Sequence, residues 1–308
     1  MVPATPTVSQ PPAFLPAPEG TARLLRDIVH DHTGSFFEQD RTSTLLDKLE
    51  PLARERGCRS FLDYYYLLKL EGEITGEWQR VMEALSVQET YFWREMDQVR
   101  ALVNHIVPQW FAKRRDPLRI WSAACATGDE PFTIAMALEE AGWFDRAPIE
   151  IIGSDASVNA LEKAKRGVYR ERSFRNLPVH LREKYFQQVP HGSLISPRLL
   201  VRVRFQRANL VVPAEIAHLA TAPLIFCRNV FIYFSSEAIR RTVGLFAKHM
   251  PSDGLLFVGA SESLLKITKD FDLQEIARAF VYKRVPPTSD PRPLSGLQSP
   301  TSNPGRPA

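Results

Sequence analysis

Four stretches of the chain place polar groups among small or aromatic neighbours in patterns that could do chemistry. The first is WSAACATGDEP, residues 121–131. Its small residues, Ser122, Ala123, Ala124, Ala126 and Gly128, let a ligand approach the backbone closely. Asp129 and Glu130 follow at the start of a helix-like run. Acids at that point repel a phosphate and suit a ligand with cationic or hydroxyl groups. A tight turn leading into an acidic first helical turn, which the macrodipole favours, explains the same residues. The second is Asp155, which closes IEIIGSD roughly thirty residues later. An acid at such a strand end accepts from both hydroxyls of a ribose. Asp155 or Ser157 could instead cap the helix that follows.

The third stretch is CRNVFIYF, residues 227–234. An Arg–Asn pair at the end of a buried strand is costly unless its polar groups are satisfied. Asn229 could bond a ligand or a loop backbone, and Tyr233 would bring a hydroxyl to the same mouth. Arg228 and Asn229 could also serve only to tie strand to loop. ANL at 208–210 is a weaker site, because Asn209 could be a turn residue. The fourth is QETYFWRE, residues 88–95. Tyr91, Phe92 and Trp93 could form a hydrophobic interdomain seam. Arg94 on that seam suits a carboxylate clamp or an ion pair.

Other chemistries find no pattern. The seven histidines form no i, i+4 pair, and His30 and His32, two apart, do not share a helix face, so no metal site is expected. There is no GxGxxG, Walker loop, GxSxG or Cys–His signature. The three cysteines, Cys58, Cys125 and Cys227, form no CxxC pair and imply a reducing, cytoplasmic setting. Cys125 and Cys227 read as small apolar fillers near the proposed crevice.

The elements that must position these residues follow from hydrophobic periodicity. Residues 21–90 space their apolar side chains at three and four, giving helices over 21–32, 41–57, 61–70 and 77–86. From residue 99 a helix leads into alternating strands and helices: strand 117–125, helix 130–142, strand 149–155, helix 157–167, strand 222–229, helix 236–250 and strand 254–261. A last hydrophobic piece, FVYKR, ends the series. Near-continuous apolar strands alternating with helices predict a parallel α/β sheet. The interval 170–206 breaks the alternation. YFQQV and LLVRVRF within it read as short antiparallel strands of an inserted β subdomain.

Composition bounds the class. Of 308 residues, 44% are hydrophobic and 24% charged, as in an ordinary globular protein. The net charge of +4 is too small to argue for nucleic acid, and no run is long enough to span a bilayer. Thirteen of the 24 prolines fall in 1–20 and 286–308, which are expected to be disordered tails. The expected domains are therefore 21–90, helical, and 91–285, α/β with the β insertion at about 170–206. The helical part carries −4 and the larger domain +8, and a basic domain suits an acidic cofactor or partner.

Together the four stretches resemble the chemotaxis receptor methyltransferases of the CheR family. The likeness rests on TYFWRE at 90–95, RIWSAACATGDEPFTIAM at 119–136, GSD at 153–155, FCRNVFIYF at 226–234 and GLLFVGASESL at 254–264. It implies an S-adenosylmethionine (SAM) binding, Rossmann-like α/β domain with a small all-helical N-terminal domain and an inserted antiparallel β subdomain. It also implies methylation of chemoreceptor glutamates, with S-adenosylhomocysteine as the other product. Cofactor contacts carry over to Gln88, Thr90, Arg94, Glu130, Asp155, Asn209, Leu210, Asn229 and Val230. Gln88 stands where the family usually has Asn, and Asp129 where it usually has Glu. Arg94 and Tyr233 are the catalytic candidates: Arg94 would hold the acceptor carboxylate or the cofactor's carboxylate, and Tyr233 would be a second donor.

The implied partner is the cytoplasmic signalling domain of a chemoreceptor. No nucleic acid, membrane insertion or oligomer is expected. In the family a basic face of the helical domain meets the receptor. Here Arg41, Lys48, Arg54, Arg56 and Arg59 are the candidates, with acids at 40, 47, 50 and 55 between them. Some members bind a receptor's C-terminal peptide on the β insertion by strand addition. Two other functions fit the same residues: a SAM- and receptor-binding protein with little turnover, and a carboxyl methyltransferase of another acceptor.

Overall fold

The structure, a computed structural model, describes residues 14–286. Most of the two expected tails lies outside those residues. The described part of the first tail is ordered. Phe14 packs edge-on against Phe61, with ring centroids 4.8 Å apart, and the Leu15 N–H donates to the Arg59 carbonyl at 3.0 Å.

Four helices form the N-terminal part: α1 (Glu19–Thr33), α2 (Thr42–Glu55), α3 (Phe61–Glu71) and α4 (Glu77–Leu85). Their buried stripes, among them Leu25 and Val29, Leu45 and Leu49, and Val81 and Leu85, meet in one core. Gly34 ends α1 in the left-handed conformation and donates to the His30 carbonyl at 2.8 Å. The Ser60 side chain caps α3 by accepting from the Asp63 N–H.

The α/β part is built on a seven-stranded sheet. Its strands are β1 (Leu118–Ala123), β2 (Ile149–Asp155), β6 (Val203–Arg207), β7 (Leu224–Phe226), β8 (Leu255–Phe257), β9 (Phe271–Ile276) and β10 (Ala279–Arg284). The order is β6-β2-β1-β7-β8-β10-β9, parallel up to β8 and antiparallel over the last two. Trp121 and Phe246 meet edge to face on one side of the sheet, while Phe132 and Phe226 fill the other. Burial on both faces explains the near-continuous apolar strands. The helical stretch Met96–Lys113 contains a π-helical turn at Leu102–Ile106, just before Pro108, which has no N–H to donate. No helix among the described residues is long and apolar enough to cross a membrane.

A second sheet comprises β3 (Val168–Tyr169), β4 (Phe186–Val189) and β5 (Gly192–Ile195), in the order β3-β5-β4 and antiparallel throughout. YFQQV supplies β4 as expected, but LLVRVRF does not supply its partner. That stretch divides into a helical turn, Pro197–Leu200, and β6, which runs parallel to β2 at the edge of the main sheet. The partner of β4 is GSLI. It was hidden because a short hairpin strand with one glycine carries little periodicity.

Candidate active site

The chain order places β2 on one side of β1 and β7 on the other, so the crevice lies where the strand order reverses. Three loops leave the carboxyl ends of these strands there: 124–128, 156–157 and 227–234. The backbone of this region is unusual. Trp93, Glu95, Ala124, Ala126 and Asn229 all have positive φ, between 47° and 67°. Such conformations are costly for non-glycine residues and persist only when their surroundings hold them. Gly128 shares the turn at φ 86°, and a Cβ there would lie 2.9 Å from the Ala164 methyl group and 3.0 Å from the Phe205 ring.

Carboxylates do the holding. Asp155 Oδ2 accepts from the Ala126 N–H and Oδ1 from the Ser157 N–H, both at 2.8 Å. Ser157 Oγ, rather than Asp155, caps the following helix through the Ala160 N–H. Asp155 is 9% exposed, and burial raises its pKa against the opposing effect of these N–H groups. A carboxylate offers about four acceptor sites, so two remain after the backbone is served.

Glu130 is likewise committed. It accepts from Ser122 Oγ at 2.6 Å and from Arg228 Nε at 2.6 Å. Arg228, with 2% of its side chain exposed, donates further to the Gln98 side chain and to the carbonyls of Arg94 and Glu95. It therefore ties the end of β7 to the 90–95 segment, the strand-to-loop role weighed above. Asp129 is fully buried, with Oδ2 accepting from Thr127 Oγ1 at 2.6 Å. Burial pushes its carboxyl up to about 6. Burial also raises the thiols of Cys125 and Cys227, which act as fillers.

Two cavities open on this frame. The smaller, about 50 Å³, is walled by Thr90, Tyr91, Arg94, Glu130 and Arg228. Arg94 lies over Tyr91, 5.4 Å from the ring centre, and donates to the Glu89 carbonyl at 3.2 Å. The larger, about 360 Å³, is walled by Asp155, Asn209, Leu210, Val230 and Tyr233 and, across the gap, by the helical part. Val87, Ala124, Ala126 and Asn229 border both. Asn209 faces the larger cavity while its amide donates to the His32 carbonyl at 2.7 Å, which fastens α1 to the sheet. Arg94 and Tyr233 thus wall different cavities. Gln88 lines neither, and its side-chain amide oxygen Oε1 accepts from Lys163 Nζ at 2.7 Å.

The helical part supplies more of the wall than its sequence reveals. Phe36, Phe37 and Met82 line the larger cavity together with Arg41 and Lys48. The Phe36 N–H donates to the Tyr233 carbonyl at 2.7 Å, and Ser35 bridges to Phe234. No periodic signal marks this strap, because its partner is distant in sequence. Of the basic candidates, Arg41 and Lys48 face the cavity, whereas Arg54 pairs with Glu50 and Arg56 with the buried Glu77.

This geometry accommodates a nucleoside cofactor. Asp155 retains two acceptor sites at the wall of a cavity large enough for a small molecule, and small residues line the passage to Arg94. Comparisons with known proteins agree. The CheR methyltransferase all-alpha domain matches residues 22–86, and the CheR methyltransferase SAM binding domain matches residues 88–280. Chemotaxis protein methyltransferase 2 of Vibrio cholerae is 35% identical over 83% of this chain and 90% of its own length. The chemotaxis protein methyltransferases of Klebsiella aerogenes and Escherichia coli are each 32% identical, over 84% and 82% of this chain and 89% and 87% of theirs. The chain therefore belongs to the CheR methyltransferase family and is a SAM-dependent methyltransferase.

Proposed function

We propose that the protein methylates glutamate side-chain carboxylates of chemoreceptors, forming methyl esters in chemotaxis-type adaptation. The observation that carries this reading is that Arg41, Lys48 and the 38% exposed Tyr233 line the same cavity as Asp155. Cations and a hydroxyl suit an anionic acceptor arriving from solvent.

The cofactor supplies an electrophilic methyl group on a sulfonium sulfur. A glutamate carboxylate is already anionic near pH 7, so no group need remove a proton from it. The remaining task is to strip water from the carboxylate and align it. Asp155 holds the ribose hydroxyls through its two spare acceptor sites. Thr90 and Arg94, with Glu130 and Arg228 behind them, hold the charged end in the small cavity. Asn209, Leu210, Asn229 and Val230 bound the nucleoside, and Gln88 orders the entry to this segment through Lys163. Tyr233 donates to the acceptor. The protein acts as a cytoplasmic monomer on the receptor's signalling domain and uses no nucleic-acid partner.

The test is transfer of labelled methyl from SAM to chemoreceptor-containing membranes, read as base-labile methanol release. Release by the wild type and its loss in Arg94→Ala support the reading. No release by a protein that binds SAM in calorimetry would refute it.

A further inference from the structure

The loop that carries Asn229, Val230 and Tyr233 has no regular secondary structure beyond one 3-10 turn, Phe231–Tyr233. Within it Asn229, three residues past the end of the strand, has φ 60°. Something must hold it there, and the strand does so only as far as Cys227, whose N–H donates to the Phe257 carbonyl at 2.8 Å. Beyond that point four backbone N–H groups converge on one side chain from the next connection. Glu262 Oε2 accepts from Asn229 at 2.8 Å and from Gly259 at 2.6 Å, while Oε1 accepts from Phe231 at 2.7 Å and Ile232 at 3.3 Å.

A second carboxylate grips the same residue by its side chain. Glu95 Oε1 accepts from Asn229 Nδ2 at 3.2 Å, and Glu95 Oε2 from the Ala260 N–H at 3.2 Å. Space is equally tight. A Cβ on Gly259 would lie 2.4 Å from Asn229 Nδ2 and 2.8 Å from Glu262 Oε2. From this convergence we infer that Glu262 is a positioning residue for the methyl-transfer site, setting Asn229 and the 229–232 backbone in the conformation that receives the cofactor.

The chemistry favours an acid at this position. Only a carboxylate provides two oxygens that both accept, and four N–H groups fill it. A glutamine keeps one acceptor oxygen and turns its NH2 toward the other two donors, leaving buried N–H groups unpaired. On the opposite side, the Tyr233 carbonyl of the same loop accepts from the Phe36 N–H at 2.7 Å. Glu262 therefore holds from within a loop that the helical part clasps from without.

This inference rests on the proposed contact between Asn229 and the cofactor, and the test separates the two. SAM binding is measured by calorimetry on the full chain carrying Glu262→Gln, Glu262→Asp, Asn229→Ala and the Glu262→Gln/Asn229→Ala pair. Glu262→Gln is expected to raise Kd roughly tenfold with one site per chain retained. Glu262→Asp should fall between it and the wild type, and the double variant should bind no more weakly than the weaker single one. Gly259→Ala, which crowds Asn229 while leaving both charges in place, should reproduce the rise and serves if Glu262→Gln does not fold. An unchanged Kd in Glu262→Gln, a loss of sites at unchanged Kd, or additive effects in the double variant would overturn the inference. A wild-type Kd in Asn229→Ala alone would instead remove Asn229 from the cofactor site; a raised Kd in Glu262→Gln beside it would show that Glu262 acts by another route.

Discussion

Replacing Asp155 with alanine should injure both the fold and the cofactor site, by separable amounts. In the folded chain its carboxylate accepts two backbone N–H groups at 2.8 Å, one of them from Ala126 in its left-handed conformation. Hydrogen bonds to a charged group contribute about 1.5–3 kcal/mol each. Removing two would destabilise by about 3–6 kcal/mol, offset in part because the buried charge, whose pKa burial raises, is also removed. A net loss of about 2–4 kcal/mol should appear in the urea midpoint without SAM. Binding loses the two spare acceptor sites, about 1–3 kcal/mol, which is roughly a 5- to 150-fold rise in Kd. Calorimetry on the folded fraction measures the second effect, and denaturation of the free protein the first. An unchanged SAM affinity would reject the ribose role. A variant as stable as the wild type would show that this carboxylate does not hold the 124–128 turn.

Three further outcomes follow from the same geometry. Arg94→Ala should abolish methyl transfer while circular dichroism stays that of the wild type, because the guanidinium's hydrogen bond is a single partly exposed one to the Glu89 carbonyl; full activity would remove Arg94 from the mechanism. Burial raises the Asp129 carboxyl from 3.8 to about 6, so between about pH 4 and 6 the folded state holds more protons than the unfolded one, and this group's contribution to stability falls as pH rises through that window. Asp129→Asn should therefore exceed the wild type by up to about 3 kcal/mol at pH 7.5 and by about nothing at pH 4; equal differences at the two pH values would contradict this account. A chain trimmed to residues 14–286 should unfold like the full chain, whereas one trimmed to 21–285 loses the Phe14 and Leu15 contacts and the first residues of α1. Its Tm should drop by about 3–6 °C, and coincident melting curves would show those residues to be dispensable.

The strand ends were legible because each combined a buried apolar run with an abrupt change to small or polar residues. IEIIGSD matches β2 residue for residue. Pairing partners were not legible in the same way. VRVRF alternates as an exposed hairpin strand would, yet only its last three residues enter the edge strand β6, and Val201 is left exposed before it. β9 carries no apolar pattern because four of its six residues are exposed, and it joins β10 through a turn at Ala277 and Arg278, which adopt positive φ without a glycine. Arg41 and Lys48 are expected on a receptor-facing surface, and the fold adds that both line the cavity, because α2 packs its buried stripe on the helical core beside it. A helical period identifies which residues share a face but not what that face meets.

The acids explain why the motifs look as they do. Asp155 and Glu130 are candidates for ligand contact, Glu95 adjoins Arg94 and Glu262 lies in the GLLFVGASESL stretch, and each first serves the protein's own backbone or a buried arginine. Loops that must let a cofactor lie against their backbone cannot be held by side chains filling the cavity. They must be held from behind, by acceptors that bind N–H groups pointing away from the ligand. Carboxylates do this most economically, since one group serves up to four donors. The strain of Ala126 and Asn229 at positive φ is thereby balanced by charge-assisted bonds. What then distinguishes a ligand contact from an anchor is spare acceptor capacity at the cavity wall. Asp155 keeps two such sites. Glu262, with four donors on two oxygens, keeps none, which is why the first is assigned to the cofactor and the second to the loop that receives it.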